Sequence, residues 1–373
     1  MEVLLENFNY ITWQMLVMWA IGGVLIYLAI AKEMEPTLLL PMGFGAILVN
    51  LPIALPDTGV QHVLNTLFSI GIEGAELFPL MLFIGIGAMI DFTPLLTNPK
   101  LMIFGAAAQF GIFFTLAAAS LLGFDIQDAA SIAIIGAADG PTSIFVATEL
   151  GSKYLGAIMV AAYSYMALVP LVQPPIIKLC TTKAERKIKM QYKGKPVSKL
   201  TKILFPIVVT IIVGLVAPDA VALIGFLMFG NLIRECGVMS SISETAQNAL
   251  ANLITIFLGI TIASQMKASE FLQLDTLIII GLGLVAFVFD TFGGIMVAKI
   301  MNLFSKEKIN PMIGAAGISA FPMSARVVHK MGLEEDNQNF LLMHSIGVNV
   351  SGQIASVIAG GLILALVKAM IGG

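Results

Sequence analysis

Ile135-Gly136-Ala137-Ala138-Asp139-Gly140-Pro141-Thr142-Ser143 interrupts an otherwise apolar run of the chain. Pro141 lacks an amide hydrogen and disfavours helix at Gly140, while Gly136 and Gly140 admit dihedrals and close contacts closed to other residues. A helix entering this stretch therefore breaks in it. Asp139 stands inside the run, where an ionised carboxylate is costly unless a donor or a cation meets it. Two uses are open. Asp139 caps the second part of the broken helix, or it binds Na⁺ or carries a proton, and capping can accompany either. Thr142 and Ser143 add oxygen atoms.

A related stretch follows about half a chain later. Ile313-Gly314-Ala315-Ala316 repeats Ile135-Gly136-Ala137-Ala138 at a separation of 178 residues, Phe257-Leu258-Gly259-Ile260 repeats Phe83-Ile84-Gly85-Ile86 at 174, and Gly225-Phe226 repeats Gly43-Phe44 at 182. Each match is weak alone, but their order and similar offset predict an internal repeat. With an odd number of spans per copy, the two halves are inverted in a membrane, a transporter architecture whose sites lie where helices break. The second break runs from Asn310 to Arg326, with Pro311 and Pro322 bracketing a Gly/Ala-rich centre. Asn310, Ser319 and Ser324 supply neutral oxygens. Arg326 either snorkels to the interface or holds a carboxylate in bidentate fashion.

A membrane is required by composition. Of 373 residues 58% are hydrophobic and only 12% charged, against about 25% charged in soluble chains. That is apolar material for roughly ten stretches of ~20 residues, and the runs are too continuous for the alternating strands of a barrel. The expectation is an all-α polytopic membrane protein with about 9–11 spans, some of them broken or re-entrant. A net charge of −3 gives no reason for a nucleic-acid partner. Cys180 and Cys236 show no metal-site spacing and indicate no structural disulfide. Glu2 and Glu6 precede the first basic residue, Lys32, so the start does not read as a signal peptide.

Nine of the twenty basic residues lie between Lys178 and Lys202, opposed only by Glu185. A short basic loop stays in the cytoplasm. The chain thus divides into a first membrane repeat (1–180), a basic cytoplasmic loop (181–202) and a second repeat (203–373). Further polar groups sit in apolar context. Tyr163 and Tyr165 are packing aromatics or hydroxyl donors; Asn349 and Ser351 offer oxygens to a hard cation; Asp290 is a second carboxylate in the path or a cap. Asp91 reads as a cap beside Thr93, and Arg234-Glu235 as a terminal ion pair.

On Gly136-Ala137-Ala138-Asp139-Gly140-Pro141-Thr142 and the stretch from Asn310 to Arg326, the chain resembles the β subunit of biotin-dependent, Na⁺-translocating decarboxylases, which act on oxaloacetate, methylmalonyl-CoA, glutaconyl-CoA or malonate. The resemblance covers nearly the whole chain. It implies a carboxybiotin decarboxylase that exports Na⁺ and consumes a proton from the outer side, in a prokaryotic inner membrane, with an elevator-like inverted repeat and a homotrimeric assembly. It also implies partners: a biotin carrier protein or domain, a carboxyltransferase α subunit and a small membrane γ/δ-type subunit. Na⁺ is then the transported ion and carboxybiotin arrives on a partner, with no tightly bound metal in this chain. The resemblance assigns catalytic roles to Asp139, Tyr165, Ser319 and Arg326, contacts with carboxybiotin to Arg326, Asn310 and Gly314, and Na⁺ ligation to Asp139, Asn310, Ser319 and Asn349. The rival is a secondary transporter moving Na⁺ with an organic anion, whose composition and repeats look much the same.

Overall fold

The computed structural model describes residues 6–52, 59–74, 76–191, 194 and 196–372. Glu2 and two lysines of the basic loop, Lys193 and Lys195, lie outside them. The described chain is helical, with no strand. Its main elements are α1 (Trp13–Ala31), α2 (Pro36–Val49), α3 (Val60–Phe68), α4 (Leu77–Met89), α5 (Pro99–Leu121), α6 (Ile126–Ala137), α7 (Gly140–Glu149), α8 (Leu155–Cys180), α9 (Lys199–Val216), α10 (Val221–Glu235), α11 (Ser240–Ala263), α12 (Leu274–Phe304), α13 (Met312–Ala315), α14 (Met323–Glu335) and α15 (Leu342–Ile371). Among the described residues seven helices are long and apolar enough to cross a membrane, or eight if the pair Val60–Glu73 and Leu77–Met89, bent by 63°, is one span. The chain is therefore an all-α, multi-pass membrane protein. The expected 9–11 spans exceed this number because α2 and α10, at 14 and 15 residues, fall below the ~17 residues that a span ordinarily needs.

Two sets of polar contacts gather the helix ends. At the loop end, Arg186 pairs with Glu335 (2.6 Å), Lys189 with Asp336 (3.0 Å), Lys299 with Glu185 (3.2 Å), and Lys202 with Glu235 (3.7 Å) and Asp91 (3.9 Å). At the far end, Lys153 pairs with Asp128 (3.3 Å), Lys368 with Glu149 (2.8 Å) and Asp219 (3.0 Å), and the Tyr154 hydroxyl donates to Asp275 (2.8 Å). α8, α12 and α15 run from one set to the other. The 31 residues of α12 make about 46 Å of helix, more than a ~30 Å hydrocarbon layer.

Packing between these helices is dominated by small residues, as expected where lipid supplies no hydrophobic drive. In the α1–α2 hairpin a Cβ on Gly22 would lie 2.7 Å from the Gly43 carbonyl oxygen, and one on Gly43 would lie 2.7 Å from that of Gly22. α2 packs on α11 and α4 on α10; α8 packs on α12 and α15 on the first part of α5. Two apolar cores result. One surrounds α5–α8, α12 and α15; the other joins α1, α2, α4 and α11, closed by Met159, Val160, Tyr163 and Ala167 of α8.

Side chains also cap helices across the fold. Asn50, just after α2, donates to the Met266 carbonyl (2.7 Å) and accepts from the Ala268 amide (2.7 Å). Asn231 of α10 donates to the Ile90 carbonyl (2.9 Å) beyond α4. Asp91 accepts from the Thr93 amide (2.9 Å), the cap its sequence suggests. Arg234 does pair with Glu235 (3.3 Å), but it also donates to the Met89 carbonyl (2.7 Å), closing α4 as well. Cys180 and Cys236 are free thiols.

Candidate functional site

α6 and α7 form one hairpin, α13 and α14 another. The first has both ends at the far end, through Asp128 and Glu149. The second has both ends at the loop end, through Asn310 and Glu335. Their tips meet in the middle, where the Ser319 amide donates to the Ala137 carbonyl (2.9 Å). The break in the first hairpin is built as its sequence suggests. A 3₁₀ turn over Ile134–Ala137 ends in Ala138, which is left-handed (φ 50°), and Asp139 follows in extended conformation with Pro141 in the first turn of α7. The left-handed alanine costs roughly 1–2 kcal/mol, offset by the bonds its geometry permits.

Asp139 is buried, at 3% exposure. Its Oδ1 accepts from the Thr142 amide (3.3 Å), so it does cap α7. Its Oδ2 accepts from Ser319 Oγ (2.9 Å), Gln353 Nε2 (2.9 Å) and Ser356 Oγ (2.7 Å). One carboxylate thus ties the first hairpin to the tip of the second and to α15. Among the described residues no lysine or arginine makes an ion pair with it. The charge is met only by neutral donors and by the positive end of α7. The hydroxyl and amide oxygens around it are of the type a hard cation takes as ligands. Asn349 joins this shell, donating to the Ile318 carbonyl (2.7 Å) and leaving its own buried Oδ1 unpartnered, as is Thr142 Oγ1.

Of the expected site residues, Asp139, Ser319 and Asn349 come together. Others do not. Asn310 stands at the loop-end entrance of the second hairpin, donating to the Arg186 and Ile188 carbonyls (2.9 Å each). It binds the basic loop rather than the Asp139 shell, since eight residues of hairpin separate it from Ser319. Gly314, expected against carboxybiotin, is pressed on Gly294 of α12, where a Cβ would lie 2.1 Å from the Gly294 oxygen. Tyr165 is also displaced from Asp139: its hydroxyl donates to the Ile280 carbonyl (2.5 Å). Residues two apart on a helix point about 200° apart, so Tyr163 takes the other face. There its ring lies against Gly140, with the hydroxyl buried and unpartnered. Ser351 turns to the Leu101 carbonyl (3.0 Å) and Asp290 to the Gly111 amide (2.5 Å), so Asp290 acts as a cap across helices. Arg326 is exposed on α14, one turn from the tip.

Gln353 and Ser356 are not among the site residues that the resemblance implies. Asn349, Gln353 and Ser356 are spaced i, i+4, i+7, which places them on one helix face, and that spacing is the signal that finds them. Among the described residues no three His, Cys, Asp or Glu side chains are grouped for a metal ion. A cavity of about 650 Å³ opens at the loop end, lined by Lys100, Lys189, Lys308 and His344 among others, but by neither Asp139 nor Arg326.

Loop anchoring gives a first prediction. Asn310→Ala strands the Arg186 and Ile188 carbonyls, of which Arg186 keeps only Asn339 Nδ2 (2.9 Å). Losing such buried bonds costs about 1–3 kcal/mol, and hydrogen exchange over residues 183–191 is expected to quicken while that of α8 does not. Unchanged exchange would show that Asn310 does not hold the loop. The Arg186 guanidinium beside Glu335 holds its carboxyl below the usual range. That clasp is therefore complete above the ordinary glutamate range and is lost as pH falls through the lowered value.

Asp139 is thus a buried carboxylate met only by neutral side-chain donors, at the meeting of two broken helices, and comparison with known proteins gives the family in which this site sits. Residues 14–367 match the family described as the Na⁺-transporting oxaloacetate decarboxylase beta subunit. The chain is 49% identical to methylmalonyl-CoA decarboxylase subunit beta of Propionigenium modestum, covering 94% of each chain. It is 50% identical to glutaconyl-CoA decarboxylase subunit beta of Acidaminococcus fermentans, covering 97% of this chain and 96% of that one. It is 46% identical to the oxaloacetate decarboxylase beta chain of Klebsiella pneumoniae, covering 95% of each. With the match running nearly end to end, this chain belongs to the beta-subunit family of the Na⁺-transporting decarboxylases.

Proposed function

We propose that the chain decarboxylates carboxybiotin presented at the loop end and couples this to outward movement of Na⁺ through the Asp139 site. Membership of the family makes it a membrane subunit of a biotin-dependent decarboxylase that translocates Na⁺. The observation that carries the residue assignments is the Asp139 cage, drawn from both hairpins and α15. Na⁺ binds Asp139 with the oxygens of Ser319, Gln353, Ser356 and Asn349. Arg326, whose guanidinium makes no hydrogen bond among the described residues, receives the substrate carboxylate. Cleavage of the N–CO₂⁻ bond releases CO₂ and leaves the electron pair on the ureido nitrogen, which takes a proton. A proton from the far end then replaces Na⁺ at Asp139. Tyr163 touches the break in this conformation; Tyr165 acts as proton donor only after leaving the Ile280 carbonyl.

The inverted repeat belongs to the same proposal. Asn50 and Asn231 are 181 residues apart, and each closes the third helical segment of the other half. Gln173 and Gln353 are 180 apart, and each reaches the other half's hairpin, Gln173 through the Ala315 carbonyl (2.7 Å). The pairs α2–α11 and α10–α4, and α8–α12 and α15–α5, are reciprocal in the same sense, as a two-fold relation requires. Counting α1, α2, α3–α4, α5, α8–α12 and α15 gives ten crossings, with two hairpins re-entrant from opposite sides. The halves 1–180 and 203–373, the elevator-like motion, the homotrimer and the carrier, carboxyltransferase and γ/δ-type partners complete the proposal.

The loop end is cytoplasmic. Of the twenty Lys and Arg, only Lys153, Lys267 and Lys368 stand at the far end among the described residues, an asymmetry that supports this orientation. With Cys180 and Cys236 replaced by serine, Lys187→Cys should label only from the cytoplasmic side and Ser269→Cys only from the outside. The reverse pattern would invert the orientation. The function is tested by reconstituting the whole complex with carboxylated carrier and following CO₂ release and ²²Na⁺ movement together. Both should require Na⁺ and stop together. Biotin-independent uptake of a labelled anion would instead favour the secondary transporter.

A further inference from the structure

Asp290 stands near the middle of α12, 16 residues from its start and 14 from its end, or about 24 and 21 Å of helix. It is wholly buried. Its Oδ1 accepts from the Gly111 amide (2.5 Å). That amide lies in the first turn of the second part of α5 (Phe110–Leu121), where Gln109, the residue before it, supplies no side-chain cap. The Asp290 Oδ2 has no hydrogen-bond partner among the described residues. A cap needs one acceptor, and asparagine or serine supplies one without an ionisable group. Capping therefore accounts for one oxygen of Asp290 and leaves the choice of a carboxyl unexplained.

The second oxygen faces the first hairpin. A Cβ on Gly136 would lie 2.6 Å from it and 2.6 Å from the Ala286 Cβ, while one on Gly111 would lie 2.6 Å from Oδ1. The carboxyl is thus seated between two glycines, one on α5 and one in the 3₁₀ turn that leads, three residues on, to Asp139. Tyr165 shares this face of α12, its ring against Gly283 two turns away. The other ionisable groups on the elements packed here, Lys100 of α5, Asp128 of α6, Lys178 of α8, and Asp275 and Lys299 of α12, stand toward helix ends, and α13 has none. An ionised oxygen left bare at this depth is costly. A hard cation would need several oxygens around it, whereas this slot is walled by Gly136 and Ala286. A proton adds no volume and removes the charge.

We propose that Asp290 is a second, proton-carrying carboxyl of the ion path, and that it holds the proton which Asp139 takes in exchange for Na⁺. This rests on the exchange of Na⁺ for a far-end proton at Asp139. While Na⁺ is on Asp139, Asp290 is the neutral acid. Its Oδ2–H bond then breaks, the proton passes along the break to the Asp139 carboxylate, and Na⁺ leaves. Asp290 keeps the electron pair and is reprotonated from the far end. One proton enters for each Na⁺ released, and the membrane interior is left with no net charge. The seat against Gly136 ties the exchange to the first hairpin, because any movement of that turn changes what Oδ2 meets.

The test uses the whole complex in proteoliposomes with the loop end outward, driven by carboxylated carrier, with the lumenal pH varied. Wild-type turnover should slow as lumenal pH rises. Asp290→Asn keeps the volume and the acceptor for the Gly111 amide but carries no exchangeable acid proton. Its turnover should fall about 100-fold, the lower end for a lost proton donor, and should no longer respond to lumenal pH. The half-saturating Na⁺ concentration at the loop end should stay unchanged, because Asp139 and its cage are intact. Asp290→Ser is smaller and still caps the amide, so it should behave alike even where the asparagine variant fails to assemble. Asp290→Glu should restore part of the response to lumenal pH. A non-ionisable variant that turns over at the normal rate, or one that is slow yet keeps the wild-type response, reduces Asp290 to a cap and overturns its proton role while the exchange at Asp139 stands. Wild-type turnover indifferent to lumenal pH would remove the far-end proton itself, and the role of Asp290 with it.

Discussion

Asp139→Asn is expected to abolish Na⁺-dependent decarboxylation by a complex that still assembles. The side chain keeps its volume and one acceptor oxygen, so the cap on the Thr142 amide can survive. What changes is the other atom. Ser319, Gln353 and Ser356 all donate to Oδ2, and an amide nitrogen in that place confronts three donors with a fourth. The hydroxyls can rotate to accept, and Gln353 can flip, so the fold adapts. The proposed Na⁺ site cannot, because its sole full negative charge is gone. Two unit charges ~4 Å apart at an effective dielectric constant of ~20 interact by about 4 kcal/mol, which is about three orders of magnitude in Na⁺ affinity. At any ordinary Na⁺ concentration turnover should fall at least about 100-fold, with ²²Na⁺ movement lost in parallel. Ser356→Ala removes one of three donors and should raise the half-saturating Na⁺ concentration only about tenfold. Coupled turnover at the normal rate in Asp139→Asn would remove Asp139 from the ion path.

Much of this site is legible in sequence because it is built from violations of the surrounding pattern. Asp139 in an apolar run, with Pro141 two residues on, predicts the break, the buried charge and the cap together. The repeat of Ile135–Ala138 at Ile313–Ala316 marks both hairpins. Sequence does not say how deep a residue sits within a hairpin. Asn310 and Ser319 belong to one motif, yet one is at the mouth and the other at the tip, and only Ser319 reaches Asp139. Nor does a motif tell which of two tyrosines, two residues apart, turns toward the break. Gln353 and Ser356 follow from helical spacing once Asn349 is fixed as an inward residue.

Gly314 carries the second large effect, and it distinguishes packing from substrate contact. A Cβ on Gly314 would lie 2.1 Å from the Gly294 carbonyl oxygen, 2.5 Å from its carbonyl carbon and 2.9 Å from the Ile295 nitrogen. All three are backbone atoms of α12, so no side chain can move aside. The contact is mutual, since a Cβ on Gly294 would lie 2.1 Å from the Gly314 oxygen. Gly314→Ala must therefore push the second hairpin off α12. Overpacking of this kind costs typically ~1–3 kcal/mol, and here the displaced element also carries Ser319 to Asp139. The expected result is a lower melting temperature of the purified complex and a fall in kcat of at least about tenfold, with KM for the carboxylated carrier unchanged in the molecules that remain folded. Gly294→Ala should reproduce both effects from the opposite wall, and the two together should cost less than the sum of the singles, because the first separation makes room for the second methyl. A glycine kept for the approach of carboxybiotin would behave otherwise: Gly314→Ala would raise KM at unaltered stability, and Gly294→Ala would leave KM alone. That outcome would turn Gly314 back toward the substrate and require the hairpin to leave α12 during the cycle.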